Sequence, residues 1–469
     1  MTAAEYEYER WLASLTMSDI RRLFQQHEAN ELLCKVLPRN ANSKNQVYVA
    51  SDLGELGKIP SGPIVPATST SNKPGGKLTP IFKAPVAISW ILPNGVLAPA
   101  NHAKLIAYPQ YPEVRFSGFL QGCQKAPSFL FDINKRGHTP DRLFFLGPRP
   151  DGMVLALAVP PESPAAREFR ETSADFDSYG VFTVIPLRPG QAGNGLALLL
   201  RELCRIHRLE WTPSLRLDKS GILVPCNATN CGGYTLEAQL GIKSNGISEP
   251  DFHGWEIKAR NVSNIERPGT SRVTLFTPEP DGGFYATQGP DEFVRKWGYP
   301  DRLGRLDRRN FGGIYRCGGD FNTLTHTKMV LDGFDHETGT FVAEGAIRLI
   351  DRRGIEAASW SFVKLMEHWK RKHAHVAYIP CKGRKQPDRA YQYAKTALLG
   401  VGAEFRHFLK AIAEGHVFYD PGIKLENSSS AKPKHKLRSQ IRVSSSCISL
   451  LYKSTQIVEV CSGGQAVFL

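Results

Sequence analysis

The sequence predicts an α/β protein in two domains, a β-rich N-terminal domain over 1–210 and a mixed-sheet domain of α+β type over 221–460. Three observations carry that reading. The chain has 469 residues, more than one ordinary hydrophobic core fills. Between 86 and 159, short runs of β-branched, aromatic and other apolar residues recur between Pro and Gly turns, the pattern of strands. After about 221, β-like runs alternate with segments whose apolar residues return at helical spacing. A composition of 41% hydrophobic and 22% charged residues places the chain among ordinary globular proteins.

Taken in order, residues 1–38 read as helices. Trp11, Leu12 and Leu15 mark the first; the second opens at Thr16-Met-Ser-Asp19 in capping-box form before Ile20, Leu23 and Phe24. Residues 40–77 are polar and rich in Ser, Asn, Pro and Gly, hence loop, with a short strand near 47–49. The Gly-Gly-Lys77 that ends this stretch lacks the spacing of a phosphate-binding loop. Strands are expected at 87–90, 104–108, 114–116, 143–146 and 153–157, then a helix at 165–169, a strand at 181–185 and a helix at 196–207. Within 108–119 several aromatics surround Arg115, which suits either base stacking or a half-buried strand. The domain boundary is expected in the polar 208–221 stretch, and the first domain is read as a DNA- or partner-binding accessory.

The chemistry concentrates at 250–258, Pro-Asp-Phe-His-Gly-Trp-Glu-Ile-Lys. In a strand, alternate side chains share a face. Glu256 and Lys258 therefore point one way while Trp255, Ile257 and Ala259 pack the other. Asp251, ahead of Gly254, can fold back across a turn to the same spot. Two carboxylates suit Mg²⁺, a hard cation that takes oxygen ligands. A lysine beside them orients or deprotonates water, or neutralises charge on phosphate. The bare Asp-x4-Glu-x-Lys spacing equally describes a solvated strand edge. Upstream, Gly-Gly-Tyr-Thr-Leu-Glu-Ala-Gln-Leu-Gly-Ile over 232–242 reads as a helix, with Leu236 and Leu240 one turn apart and Gly241 as its stop. Glu237 lies beside that stripe and would project toward the strand.

Gly-Gly-x-Thr-Leu-Glu-x-x-Leu-Gly-Ile followed by Pro-Asp-Phe-x-Gly-x-Glu-Ile-Lys resembles the MvaI/BcnI family of restriction endonucleases and, more distantly, the MutH mismatch-repair nickase. Both belong to the PD-(D/E)xK restriction-endonuclease-like fold. The resemblance covers about 226–460. It implies that Asp251 and Glu256 bind Mg²⁺, that Glu237 is the helix-borne acidic residue joining them, and that Lys258 is the catalytic lysine. The implied reaction is hydrolysis of double-stranded DNA to a 5′-phosphate and a 3′-hydroxyl, by a monomer that cuts one strand at a time. The MutH-like pattern also implies a supporting lysine before His375-Val-Ala-Tyr-Ile-Pro380, and Lys372 matches that position best.

Further strands are expected at 272–276 (the next strand of the same sheet), 314–316, 324–331, 341–350 and 375–380. A helix is expected at 360–372, with Val363, Met366 and Trp369 inside and Lys364, Lys370 and Arg371 outside. Tyr391, Leu398, Val401, Phe405, Phe408 and Ile412 predict one long helix over 388–414. Arg438, Gln440 and Arg442 alternate on an expected strand face, and arginine and glutamine are the residues that read guanine and adenine edges.

Net charge is +14, and the 362–442 segment alone holds 17 Lys/Arg against 6 Asp/Glu. That favours a polyanionic partner, with Lys370 and Lys372 among the phosphate contacts. Nine irregularly spaced cysteines argue against a disulfide framework and, with no CxxC pair, against zinc. No apolar signal segment or membrane-length run stands out, so a cytoplasmic protein is expected. The leading expectation is a Mg²⁺-dependent, site-specific DNA endonuclease; a non-catalytic DNA-binding protein and a repair-type nickase are the alternatives.

Overall fold

The computed structural model describes residues 3–39, 44–69, 79–187, 195–242, 251–372 and 374–462. The chain divides into two compact units, Met1–Leu198 and Leu199–Leu469, with the division inside the first turn of the helix Gly195–Arg208.

Two sheets dominate the N-terminal unit. In the seven-stranded one, Arg142–Pro148 and Val154–Val159 lie side by side and are buried along their whole length. The second has five strands, with Lys104–Tyr108 between Glu113–Ser117 and Pro80–Pro85. An aromatic cluster of Trp90, Phe119, Phe131 and Phe144 fills the core, and the Trp90 indole donates to the Phe119 carbonyl at 2.7 Å. The expected capping box is present: the Thr16 side chain accepts from the Asp19 backbone, and Asp19 accepts from the Thr16 backbone. The helical reading of 1–38 stops there, because Leu32–Leu37 is a strand between Phe182–Ile185 and Arg142–Pro148. Its apolar residues Leu32, Leu33, Cys34 and Leu37 are buried, and period alone does not separate such a strand from a buried helix. Arg115 pairs with Glu113 through two hydrogen bonds, at 2.5 and 2.9 Å, and lies over the Tyr108 ring, so this stretch is an ordinary half-buried strand.

The C-terminal unit is built on a six-stranded mixed sheet. Its centre is His375–Arg384, which runs parallel to Glu256–Asn261 with Glu256 opposite Val376 and Lys258 opposite Tyr378. On the other side it pairs antiparallel with Ala390–Tyr393 and Thr396–Ala403. Those two strands correct the long helix expected over 388–414, of which only Phe405–Ala413 is helical. The second lies between His375–Arg384 and Tyr452–Glu459, paired antiparallel with both, and a Cβ on Gly400 would sit 2.7 Å from the Tyr452 ring. The strand Arg272–Phe276 also departs from expectation, joining Ile441–Ser444 and Val417–Tyr419 in a separate sheet.

Phe362–Lys372 is a helix, packed by Leu365, Met366 and Trp369. Lys370 is only 8% exposed, which corrects its expected place on the outer face. Two disulfides, Cys204–Cys461 and Cys226–Cys231, correct the expectation of a chain without them. The first joins residues 257 apart, a pairing that spacing never reveals. No helix among the described residues is long and apolar enough to cross a membrane.

Candidate active site

The Glu256 strand starts where a tight turn ends. Phe252 and Trp255 exchange backbone hydrogen bonds at 2.9 Å, and between them His253 and Gly254 both have positive φ. His253 at +45° is a non-glycine residue in a region that favours glycine, so surrounding contacts hold this turn. The turn places Asp251 beside the strand, where the Ile257 backbone N–H donates to Asp251 Oδ2 at 2.9 Å. One residue on, Lys258 Nζ donates to Glu256 Oε1 at 3.1 Å and to the Leu275 carbonyl at 3.4 Å. Glu256 and Lys258 thus share a face, as the two-residue period of a strand requires. Ile257 and Trp255 are buried, with Trp255 stacked on His375 at 5.2 Å.

The acid–lysine pair is withdrawn from water, its side chains 6% and 14% exposed. Burial of two charges is costly, and hydrophobic replacements are often as stable, so such a pair is weak evidence for stability and better evidence for function. The Glu256 carboxylate also acts on two buried phenols. Burial pushes Tyr378 and Tyr452 well above the ordinary tyrosine range, and the nearby Glu256 charge pushes both further. Their hydroxyls are 2.8 Å apart. Sequence reasoning missed both, because Tyr378 comes to the site through the parallel register that sets it opposite Lys258, and Tyr452 through the strand paired with Thr396–Ala403.

The helix Cys231–Gln239, which carries Glu237, packs on this strand. The approach is close: a Cβ on Gly232 would meet Asn261 Oδ1 and Cys381 Sγ at 3.0 Å, and the Tyr393 hydroxyl donates to the Gly232 carbonyl at 2.8 Å. Gly241 ends the segment at φ +74°. Glu237 lies near enough to Tyr393 for its charge to add to the burial that raises that phenol. Among the described residues, no three or more His, Cys, Asp or Glu side chains are spaced to hold a metal ion, so Glu237 does not complete a cage with Asp251 and Glu256. The two remaining carboxylates still suit Mg²⁺. That ion keeps several waters and takes one or two carboxylates plus phosphate oxygens rather than a closed protein cage.

The expected base-reading face is largely committed elsewhere. The strand begins at Ile441, so Arg438 and Gln440 precede it. Arg442 Nη1 donates to Asp420 Oδ2 at 2.7 Å, and Gln440 Nε2 to Thr274 Oγ1 at 3.4 Å. Arg438 remains exposed. His368 stacks on Phe276 at 5.9 Å, a packing role rather than a metal one. Pro250 lies outside the described residues, as do the side chains of Arg371 and Lys372.

A mixed sheet that presents a carboxylate, a neighbouring lysine and a turn-borne aspartate at one strand end has the build of a restriction-type deoxyribonuclease. The model of the MvaI/BcnI restriction endonuclease family matches residues 200–452, more than half of the chain. This chain belongs to the MvaI/BcnI restriction endonuclease family. It is accordingly a type II restriction-like, site-specific DNA endonuclease, of a family that generally uses a divalent metal. Among solved structures, the restriction endonuclease MvaI in complex with cognate DNA substrate is 18% identical, with 57% of this chain and 99% of that chain covered and a TM-score of 0.44. MvaI in the absence of DNA is 19% identical over 56% and 98%, with a TM-score of 0.32. A search of curated proteins found no match.

Proposed function

We propose that this endonuclease is Mg²⁺-dependent and hydrolyses phosphodiester bonds of double-stranded DNA through Asp251, Glu256 and Lys258. The observation that supports it is the convergence of these three side chains at one turn and strand start, with Lys258 Nζ 3.1 Å from Glu256. Asp251 and Glu256 would hold the ion, with Glu237 reaching it through water. When bound, the ion polarises a phosphate oxygen and lowers the pKa of a water.

The chain's own residues do the rest. The Ile257 N–H fixes the Asp251 carboxylate through Oδ2. Glu256 and the Leu275 carbonyl hold the Lys258 ammonium, so its remaining donor meets the scissile phosphate and offsets charge as water attacks phosphorus. The products carry a 5′-phosphate and a 3′-hydroxyl. A monomer would cut the two strands in turn. The exposed Arg438, Lys432, Lys434 and Lys436 would follow the DNA backbone. Acting on DNA fits a cytoplasmic location.

The test is a cleavage panel of plasmid, linear duplex and RNA with Mg²⁺ or EDTA, using the parent protein and Asp251→Ala. Duplex cleavage should need Mg²⁺ and vanish in Asp251→Ala while duplex binding persists. Undiminished cleavage by Asp251→Ala would overturn the residue assignment, and preference for RNA would overturn the substrate.

A further inference from the structure

The N-terminal unit holds a second concentration of charge that the nuclease chemistry does not use. A cavity of about 120 Å³, roughly ten times what one water needs, is lined by Lys35, Arg136 and Arg142 together with Tyr48, Asn45 and Phe131. Three cations therefore meet at one hollow.

Lys35 is the unusual member. It sits on the strand Leu32–Leu37, where it is 8% exposed while its neighbour Val36 is 41% exposed, the inverse of what apolar burial dictates. No hydrogen bond or ion pair reaches its ammonium among the described residues; its neighbour is the Tyr48 ring, 5.7 Å from Nζ to centroid. An ammonium taken out of water without a counter-charge is costly. Burial accordingly lowers the Lys35 pKa from the ordinary lysine value.

The two arginines add to this. Arg142 is 3% exposed and donates to the carbonyls of Thr139 at 2.8 Å, Leu130, and Pro38 at 3.5 Å, none of them an anion. That occupies three of the five N–H donors of a guanidinium. Burial and the neighbouring Arg136 charge pull Arg142 down to about 10. Arg136 donates to the Phe131 and Gly137 carbonyls, with Asp132 as the acid that acts on it. Asn45 Oδ1 is buried without a hydrogen-bond partner; turning the amide over would aim its NH₂ there instead.

We propose that the Lys35–Arg136–Arg142 cavity binds a phosphate group, carried either by a free nucleotide or inorganic phosphate or by the backbone of a nucleic-acid strand. Among the described residues Lys35 and Arg142 meet no carboxylate, so the cavity calls for an anionic ligand. Guanidinium donors match the oxygens of phosphate. The room fits one such group. The proposal does not depend on Asp251, Glu256 or Lys258, and its failure leaves the nuclease reading intact.

The experiment is isothermal titration of the metal-free full chain with inorganic phosphate, with a mononucleotide 5′-phosphate, and with a short duplex. Chloride at matched ionic strength is the control, and Lys35→Met and Arg136→Gln are the variants. Phosphate should bind the parent protein and bind each variant about ten-fold or more weakly, the loss of one charge-assisted contact. Lys35→Met removes an unpartnered buried charge and should fold; Arg136→Gln carries the test if it does not. Weakened duplex binding in the variants, with a salt slope reduced by about one, assigns the site to a nucleic-acid backbone. Unchanged duplex binding with lost mononucleotide binding assigns it to free phosphates. No phosphate heat beyond the chloride control, or equal affinity in parent and both variants, overturns the proposal.

Discussion

Lys258 and Lys35 both lie largely out of water, and the protein treats them in opposite ways. Lys258 has a carboxylate at 3.1 Å and a carbonyl at 3.4 Å, so its charge is matched within its own strand face. Lys35 has an aromatic ring and two arginines around the same cavity. On the proposals above, the matched lysine serves the chemistry, and the one that meets no counter-charge among the described residues serves an anion. The same residue type thus reports two functions, and the deciding variable is the nearest counter-charge.

The comparison breaks most readily at Glu256. Glu256→Gln should lower cleavage by at least about 10³-fold, read in a plasmid assay, and should destabilise the protein by leaving Lys258 unmatched, at a cost of about 3–5 kcal/mol. Glu256→Gln combined with Lys258→Met should recover much of that stability without recovering cleavage. If the double variant is as unstable as the single, the pair is not the reason for the loss. Lys258→Met alone should cost about 10²–10⁴-fold in rate while duplex affinity changes little.

Next in size is a packing test. Gly400→Ala drives a Cβ into the Tyr452 ring beside the site and should cost about 1–3 kcal/mol in chemical denaturation. A neutral result would mean that Tyr452 moves freely.

The Lys35 side gives an effect of opposite sign. Burial holds its pKa below the ordinary lysine value, so the folded state binds that proton less well than the unfolded chain. The penalty is full below the folded pKa and fades as pH rises toward the unfolded one. Lys35→Met should therefore raise the unfolding midpoint at pH 7, and the gain should shrink above pH 10. The smallest effect separates Arg438 from Arg442. Arg438→Ala should lower the salt slope of duplex binding by about one, whereas Arg442, held by Asp420, should contribute less to that slope.

The nuclease motif was legible because it is local. Asp251, Glu256 and Lys258 fall within one turn and one strand, so the two-residue period and a glycine turn suffice to place them. Where long-range partners decide, legibility failed. The apolar residues over 388–414 recur at helical spacing, yet two strands and a short helix form, with Thr396–Ala403 paired between His375–Arg384 and Tyr452–Glu459. The alternation of Arg438, Gln440 and Arg442 suggested a reading face, but Asp420 and Thr274, remote in sequence, engage two of the three. Val36 and Lys35 follow no burial pattern, and only the cavity beside them shows why.

By itself, then, the sequence determined the strand that carries the acid–lysine pair, the helix that carries Glu237, and the family. The tertiary structure decided what lies opposite each of them: Tyr378 and Tyr452 under Glu256, the disulfide from Cys204 to Cys461, and the arginines around Lys35. The physical reason is range. Backbone period and turn preference act over a few residues, whereas counter-charges and close packing are supplied by whatever the fold brings alongside.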